Sequence, residues 1–423
     1  MKIIDVICTP IATGFFRDDQ SAIRAGRTRD GFLYSGTPVT PGFTSIREPG
    51  IAVSVVLILS DGQVALGDCA EVQYAGAGGR ARLSSQDELM GQLRDHVVPR
   101  LVGRTFEGFR PLSEEIDGLV VDGEPLATSL RYGVTQALLH AAALTSGLTM
   151  AEVVQDEYAV DTEIDLVPLF AQCGDDRYVN VDKMILKQVD ALPHGLINEV
   201  DTKLGRNGEL LLEYVAWLHQ RVLSVRTDPD YTPRIHLDTY GTIGMAFDGD
   251  IERVVNYLAR LAEAAAPFSL WIEHPIDAGS RDGQVAIYAQ LRDILRTRNI
   301  PVEIVVDEWC NTLDDIDVFT KAQAADVIHV KTPDLGGINN TIEALLLVRE
   351  RGLRSYSGGT CNETDQSARV TTHVAMACGA DQLLAKPGMG VDEGIMVVRN
   401  EMARTRDLVR WRRARTSGEF TVT

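Results

Sequence analysis

Four short apolar segments that each end in a charged residue constrain the fold of this chain more than any other feature. The first three end in carboxylates, at Asp238, Glu273 and Asp307, and the fourth ends at Lys331. Successive ends lie 35, 34 and 24 residues apart (238 to 273, 273 to 307 and 307 to 331), a spacing typical of one strand plus one helix. Repeated units of this kind predict a parallel sheet, and polar chemistry at the strand ends favours a closed TIM-type (β/α) barrel over an open sheet.

The three carboxylates predict a metal site. Strand ends of a parallel barrel meet on one face, where Asp238, Glu273 and Asp307 would repel one another without a cation. Oxygen ligands suit Mg²⁺, with Mn²⁺ as an alternative, rather than Zn²⁺. A nearby dication disfavours the protonated form of Lys331, so this lysine is predicted to act as a base. Taken singly, each residue has a plainer explanation as a turn residue, a helix cap or a solvated side chain.

The pattern of the first 160 residues differs from that of the rest. Alternating residues at 53–59 and 64–68 predict a β-hairpin, and a helix is expected near 130–139, which together indicate an α+β domain. Residues 161–423 are expected to form the barrel. Its later strands are predicted at 269–275, 302–308, 327–331, 354–359 and 382–386. Residues 71–80 predict a mobile loop that either closes over the barrel mouth or is simply a flexible connection.

Several polar residues have two explanations each. His329 faces the same way as Lys331, two residues later, so it is either a satisfied core histidine or a substrate contact. The turn of residues 358–362 combines two glycines with Thr360 and is predicted to bind a carboxylate; it is a weak phosphate cradle. Gln172 and His194 are placed across the barrel, although both also fit solvated loops. Cys361 is disfavoured as a nucleophile because no histidine is evidently paired with it.

Composition excludes several classes of partner. Lysine and arginine total 41 against 60 acidic residues, a net charge of −19, which opposes binding to nucleic acid or anionic membranes. No apolar run approaches the ~18 residues of a membrane span, and residues 1–5 lack the layout of a signal peptide. The six cysteines contain no C-x-x-C and are interpreted as reduced, mostly packed thiols. A cytoplasmic location is expected.

Ten sequence blocks match one known family: residues 30–32, 41–45, 72–74, 174–178, 181–187, 240–244, 307–312, 331–337, 358–364 and 386–390. Through these blocks, over essentially its whole length, the chain resembles the methylaspartate ammonia-lyases of the enolase superfamily. The resemblance implies a superfamily (β/α) barrel with an N-terminal α+β capping domain. It also implies elimination of ammonia from (2S,3S)-3-methylaspartate to give mesaconate.

The resemblance also assigns roles to individual residues. Asp238, Glu273 and Asp307 match the Mg²⁺ ligands. Lys331 matches the base that removes the C3 proton, and His194 matches the acid/base on the opposite face, which serves the epimeric substrate. The matching substrate contacts are Gln172, Thr360 and the Cys361 backbone at the amino-acid end, with Gln73, Phe170, Tyr356 and Leu384 around the methyl group and tail. Activation by K⁺, a homodimer and a place in glutamate fermentation through mesaconate are implied as well.

Other functions remain open from the residues themselves. Another enolase-superfamily lyase, such as an acid-sugar dehydratase, or a cycloisomerase is the nearest alternative. A Schiff-base aldolase also places a lysine on a barrel strand, but three carboxylates in series argue against it. A catalytically idle binding protein is conceivable, although no essential group is missing. A two-metal hydrolase is disfavoured because the chain contains no H-x-H pair.

Two residues depart from the family pattern and lead to a prediction. His329 stands where the family has a glutamine that hydrogen-bonds the metal-bound carboxylate, and His274 stands where a glycine usually follows the metal-binding glutamate. Both His329 and glutamine can donate to a carboxylate, so we expect a neutral donor at working pH. His329→Gln should keep kcat/KM within about tenfold, roughly 1.4 kcal/mol. His329→Ala should lose more, because a carboxylate in a dry site then lacks its donor.

The measurement is kcat/KM for ammonia release against pH, on the wild type and both variants. If the glutamine variant were as inactive as the alanine variant, His329 would perform chemistry that glutamine cannot, and the ammonia-lyase assignment would be contradicted.

Overall fold

The first part of the chain is an antiparallel sheet covered by helices. The computed structural model describes residues 2–105 and 107–417. Its first elements are β1 (Ile3–Asp18), α1 (Gln20–Arg24), β2 (Arg29–Asp30), β3 (Leu33–Tyr34), β4 (Arg47–Leu59), β5 (Val64–Ala70), α2 (Gln86–Gln92), a π-helical segment (Leu93–Val97), α3 (Val98–Leu101), α4 (Phe109–Asp117), β6 (Val120–Val121), β7 (Glu124–Pro125), α5 (Thr128–Ser146) and α6 (Met150–Tyr158). The main sheet has the order β1-β4-β5, and the predicted hairpin is confirmed, with Ile58 opposite Val64.

Helix α5 packs so closely against β5 that their backbones are in direct contact. A Cβ atom added at Gly133 would lie 2.4 Å from the Cys69 backbone nitrogen, and one added at Gly67 would lie 2.1 Å from the Gly133 carbonyl oxygen. Two facing glycines therefore let the helix and strand touch. This contact places Tyr132, one residue earlier on α5, fully inside the protein.

The second part of the chain is a closed barrel of eight parallel strands, as predicted. Its strand order is β10-β11-β12-β13-β14-β15-β8-β9, so neighbours in sequence are neighbours in space. The elements are β8 (Leu169–Phe170), α7 (Val179–Leu186), β9 (Ala191–His194), a π-helical segment (Val200–Leu204), α8 (Glu209–Val225), β10 (Arg234–Asp238), α9 (Thr242–Ala246), α10 (Ile251–Ala265), β11 (Leu270–Glu273), α11 (Arg281–Thr297), β12 (Val302–Val306), α12 (Leu313–Lys321), β13 (Val327–Val330), α13 (Ile338–Glu350), β14 (Arg354–Ser357), α14 (Asp365–Cys378), β15 (Gln382–Leu384) and α15 (Glu393–Ser417).

The later barrel strands are shorter than predicted. Each begins within one residue of the predicted start and ends one or two residues earlier. After β11 the backbone of His274 is left-handed, with φ of +48°, and after β12 Trp309 has φ of +66°. A left-handed residue cannot continue a strand, so the chain turns into a loop over the barrel mouth at these positions. The division near residue 160 stays a prediction.

An apolar layer fills the barrel interior below this mouth. Seven of the eight strands contribute a side chain: Phe170, Ala191, Trp271, Val305, Val327, Tyr356 and Leu384. The remaining strand, β10, contributes His236, whose ring stacks on Phe170 with ring centroids 4.4 Å apart. The barrel is therefore a packed core that supports the strand ends, as expected for this architecture.

Two further sequence expectations concern the cysteines and membrane spans. All six cysteines are free and five are buried, which agrees with packed, reduced thiols. Among the described residues, no individual helix has the length and apolarity to cross a membrane. Helices α5 and α6 reach that threshold only as a pair, across a bend of 94°.

The glycine contact on α5 generates a stability prediction. Gly133→Ala should lower the free energy of unfolding by about 1–3 kcal/mol, because the new methyl group forces α5 away from β5. The matched control is Gly91→Ala on α2, where the nearest atom to an added Cβ is 4.0 Å away. There the substitution should stabilise by up to about 1 kcal/mol. Urea unfolding of both variants followed by circular dichroism is the measurement; equal stability of the two would contradict the close-contact account.

Candidate active site

Three consecutive strands bring the predicted carboxylates together. Asp238 ends β10, Glu273 ends β11, and Asp307 directly follows β12. Asp238 and Glu273 are paired in register across the two strands, and all three side chains are at most 3% exposed. Lys331 directly follows β13, the next strand round the barrel. The sequence therefore located all four groups at the same rim.

Two histidines deeper in the barrel donate hydrogen bonds to Glu273. His329 Nδ1 donates to Glu273 Oε1 over 2.7 Å, and His236 Nε2 donates to Glu273 Oε2 over 2.8 Å. His329 Nε2 in turn accepts the Gly359 N–H at 3.3 Å, which leaves the ring proton on Nδ1 for Glu273. His236 was missed in the sequence. It lies two residues before Asp238, so the rule that identified His329 beside Lys331 would have found it.

Asp307 is held by two cations from different domains. Lys331 Nζ lies 2.6 Å from its Oδ2, and Arg80 Nη2 lies 3.1 Å from its Oδ1. Arg80 also donates from Nε to Asp334 over 2.9 Å, and its side chain is almost wholly buried. Arg80 is thus a second basic group beside the carboxylates, in addition to the predicted Lys331. Residues 71–80, predicted as a loop or flexible connection, lie over the barrel mouth and deliver Arg80 into it.

The negative charges of the carboxylates affect one another's pKa values. Burial raises the pKa of Asp238 above its usual range, and the negative charge of Glu273 adds to that rise. Burial acts in the same direction on Asp307, but the charges of Lys331 and Arg80 outweigh it and hold that pKa below its usual range. Local cations thus stabilise the charge of Asp307, whereas the neighbouring charge of Glu273 opposes ionisation of Asp238.

His194 faces this cluster from across the barrel. It ends β9, which is four strands away from β13 in a barrel of eight, so His194 and Lys331 approach the mouth from opposite sides. Its Nε2 lies 3.2 Å from Asp238 Oδ2. The backbone of His194 is left-handed, with φ of +69°, as expected where a strand ends and the chain turns over the barrel.

A cavity of about 40 Å³ lies between these groups. Ten of the thirteen residues predicted for the site line it: Gln73, Gln172, His194, Asp238, Asp307, His329, Lys331, Tyr356, Thr360 and Cys361. Glu273 lies just outside the cavity and is hydrogen-bonded to His329. Phe170 and Leu384 instead belong to the apolar layer inside the barrel, which Tyr356 connects to the cavity. Their contact with the substrate stays a prediction.

The capping domain and the turn after β14 form the remaining wall. The Gln73 N–H donates to Thr360 Oγ1 over 3.1 Å, and Cys361 Sγ donates to Gln73 Oε1 over 2.8 Å. Burial raises the pKa of the Cys361 thiol far above its usual range, which agrees with the expectation that it is not a nucleophile. Gln73 therefore depends on the barrel for its position, and the barrel turn depends on the cap.

His274 lies just outside the cavity. Its Nδ1 lies 3.1 Å from Glu308 Oε2 and 3.3 Å from the Tyr288 hydroxyl. Its φ of +48° falls in the left-handed region, which glycine adopts without strain. A glycine therefore suits this position. The His274 side chain contacts Glu308, the residue after Asp307, and does not line the cavity.

The donor set fits a hard dication. Ligand atoms of Glu273, Asp307 and His329 lie within 4.8 Å of one another, close enough to hold one metal ion. Asp238 is the third carboxylate of the rim and lies next to Glu273. Buried carboxylate oxygens in this number are typical of Mg²⁺ sites. His329 Nδ1 already donates its proton to Glu273, so Asp238 is the candidate for the third ligand.

The closed barrel, its N-terminal cap and the strand-end carboxylates together define the class of this protein, a capped (β/α) barrel with an acidic site at its mouth. Distant similarity agrees with this fold. The muconate lactonizing enzyme from Pseudomonas fluorescens superposes with a TM-score of 0.61 at 15% identity, covering 93% of this chain and 88% of that one.

Family models identify the particular family. Residues 1–159 match the methylaspartate ammonia-lyase N-terminus, and residues 161–411 match the methylaspartate ammonia-lyase C-terminus. The chain belongs to the methylaspartate ammonia-lyase family and is an ammonia-lyase, as predicted.

Two relatives are similar throughout. The methylaspartate ammonia-lyase of Clostridium tetanomorphum is 53% identical over 97% of this chain and 99% of its own length. Its crystal structure, a Mg-complex, superposes with a TM-score of 0.93 and covers 97% of this chain and 100% of that one. The Citrobacter amalonaticus enzyme, solved with (2S,3S)-3-methylaspartic acid, is 50% identical, with a TM-score of 0.95 over 97% and 100% of the two chains.

Arg80 generates a prediction for activity. Arg80→Met should lower kcat/KM for ammonia release by about 100-fold, because Asp307 and Asp334 lose a buried, charge-assisted partner and their geometry shifts. Arg82→Met is the control, since the Arg82 side chain is 70% exposed and pairs with Glu88 at the surface; it should stay within twofold. Steady-state kinetics of both variants is the measurement. Equal activity of the two would show that Arg80 only anchors the loop.

Proposed function

We propose that this protein eliminates ammonia from (2S,3S)-3-methylaspartate to give mesaconate. One observation carries the proposal above the others: Lys331 and His194 face each other across a small cavity, with Asp238, Glu273 and Asp307 along the rim between them. This arrangement suits removal of a proton from a carbon next to a carboxylate. The relative solved with (2S,3S)-3-methylaspartic acid supports the choice of substrate.

The chemistry requires a positive charge and a base. The C3 proton is weakly acidic, because its removal places a second negative charge on the neighbouring carboxylate. Mg²⁺ held by Asp238, Glu273 and Asp307 would supply positive charge to that carboxylate. Lys331 Nζ takes the proton, and loss of ammonia from C2 completes the elimination. A lysine or histidine base beside Mg²⁺ is the general arrangement in enolase-superfamily sites.

The cavity wall supports the remaining roles. His194 serves the opposite face and the epimeric substrate. Gln172, Thr360 and the Cys361 backbone bind the amino-acid end. Residues around the methyl group and tail are Gln73, Phe170, Tyr356 and Leu384. Gln73 and Tyr356 line the cavity directly, whereas Phe170 and Leu384 limit it from the packed layer inside the barrel.

Five further properties are proposed. Activation by K⁺, assembly as a homodimer and a place in glutamate fermentation through mesaconate rest on the family resemblance. Function with Mn²⁺ in place of Mg²⁺ rests on the oxygen ligands, and a cytoplasmic location rests on the cysteine pattern. Size-exclusion chromatography with light scattering tests the dimer, and assays in K⁺ or Na⁺ salts test the activation.

An absorbance assay for mesaconate tests the proposed function. Purified protein with Mg²⁺ and (2S,3S)-3-methylaspartate should form mesaconate and ammonia in equal amounts. Excess EDTA should abolish the reaction, and Asp238→Ala, Glu273→Ala or Asp307→Ala should do so while the fold persists. Full activity in EDTA, or ammonia without mesaconate, would contradict the proposal.

Lys331 generates a separate prediction. Lys331→Ala should stop both ammonia release and exchange of the C3 hydrogen with deuterium from solvent, because Lys331 is the base proposed for that side of the cavity. NMR of the recovered substrate measures the exchange. His194→Ala, the counterpart across the cavity, should retain activity with the (2S,3S) substrate. Exchange at the wild-type rate in Lys331→Ala would instead make His194 the base.

A further inference from the structure

A fully buried lysine lies behind the active site. Lys386 follows β15 in the family block of residues 386–390, and none of its surface is exposed. Its ammonium donates to three oxygens: Thr332 Oγ1 at 3.0 Å, the Gly358 carbonyl at 2.9 Å and Glu363 Oε1 at 2.9 Å. All three donor directions of the ammonium are thus used. Neither the proposed reaction nor the cavity wall accounts for this residue.

Glu363 extends the contacts to the turn and to the cap. It is also fully buried. Its Oε1 accepts the Thr360 N–H at 3.1 Å, and its Oε2 accepts the Tyr132 hydroxyl at 2.7 Å. Burial lowers the pKa of the Lys386 ammonium, and the Glu363 carboxylate opposes that effect. One ion pair thereby joins the capping helix α5 to the turn that carries Thr360.

The turn that carries Thr360 is packed too tightly to shift. A Cβ atom added at Gly359 would lie 2.2 Å from Glu363 Oε1 and 2.5 Å from Lys386 Nζ. One added at Gly358 would lie 1.8 Å from His329 Nε2. The two glycines are therefore held between the ion pair on one side and the His329 ring on the other.

We propose that Lys386 is a positioning residue for the elimination reaction. Through Thr332 it fixes the backbone next to the base Lys331. Through Gly358 and Glu363 it fixes the turn that presents Thr360 to the substrate. A single ammonium thus sets the distance between the base and the group that binds the substrate. This role rests on the proposed function.

Stability is a weaker explanation for the ion pair. Removing two charges from water costs several kcal/mol per ion, and well-packed apolar side chains often replace a buried pair without loss of stability. The pair does have a geometric function, because its hydrogen bonds converge on segments from three different loops. A misplacement of about 1 Å in an active site can lower turnover about 100-fold.

The test separates positioning from folding. Lys386→Met leaves a buried carboxylate uncompensated, so it is combined with Glu363→Gln, which restores neutrality. Arg292→Met is the matched control: Arg292 is 5% exposed and donates at 2.6 Å to both Asp326 Oδ1 and the Gln323 carbonyl, away from the cavity. For each protein, the melting temperature, kcat and KM for mesaconate formation are measured at a temperature where it is fully folded.

If Lys386 is a positioning residue, kcat of the double variant should fall without a matching fall in its melting temperature. The double variant should melt near the wild-type temperature, with kcat reduced about 100-fold and KM raised less than tenfold. Arg292→Met should melt lower and keep kcat within threefold. A folded double variant with kcat within threefold of the wild type would overturn the proposal.

A milder variant covers the case in which the double variant does not fold. Thr332→Val keeps the ion pair and removes only the hydroxyl that Lys386 reaches beside Lys331. Its kcat should fall about tenfold with little change in melting temperature, and a wild-type kcat would overturn the proposal. The wild type is assayed alongside. If it formed no mesaconate, the proposed function would fail and the positioning role with it; active wild type with equally active variants would overturn positioning only.

Discussion

Repulsion among carboxylates at one rim of the barrel is the constraint on which the rest of this structure depends. A parallel barrel brings Asp238, Glu273 and Asp307 to adjacent strand ends, and the packed layer below removes them from water. Such a cluster is stable only with compensating charge and donors. The histidines below, Lys331 beside it and Arg80 above provide them. The same groups give the cavity its chemistry.

That constraint explains why the capping domain is part of the active site. Arg80 reaches Asp307 from the cap, Gln73 closes the wall against Thr360, and Tyr132 anchors Glu363. The Arg80 and Tyr132 contacts are buried and the Gln73 contact is partly buried, so solvent screens them little and their geometry is well defined. Within the cap, the glycine contact between α5 and β5 holds the helix that carries Tyr132. Packing within the first domain thus supports a contact to the second.

The sequence predicted the barrel and its strand-end residues because both depend on local pattern. Apolar runs, their charged ends and the spacing between them follow from the period of strands and helices. Arg80 was not predicted, because its partner Asp307 is 227 residues away and no local pattern connects them. The Lys386–Glu363 ion pair was not predicted either, because nothing in the sequence of a Pro/Gly turn shows that its lysine is buried. The ends of β11 and β12 were placed two residues late because the left-handed residues that follow them, His274 and Trp309, carry no signal of their own.

Binding of Mg²⁺ to the purified protein tests the central claim most directly. The account holds that the three rim carboxylates form the metal site and that His329 supports Glu273. Calorimetric titration of the wild type should give one Mg²⁺ per chain. Asp238→Asn and Glu273→Gln should weaken binding by at least about tenfold, whereas His329→Gln should stay within threefold. Absence of binding in the wild type would contradict the account, as would loss of binding in His329→Gln with unchanged binding in Asp238→Asn.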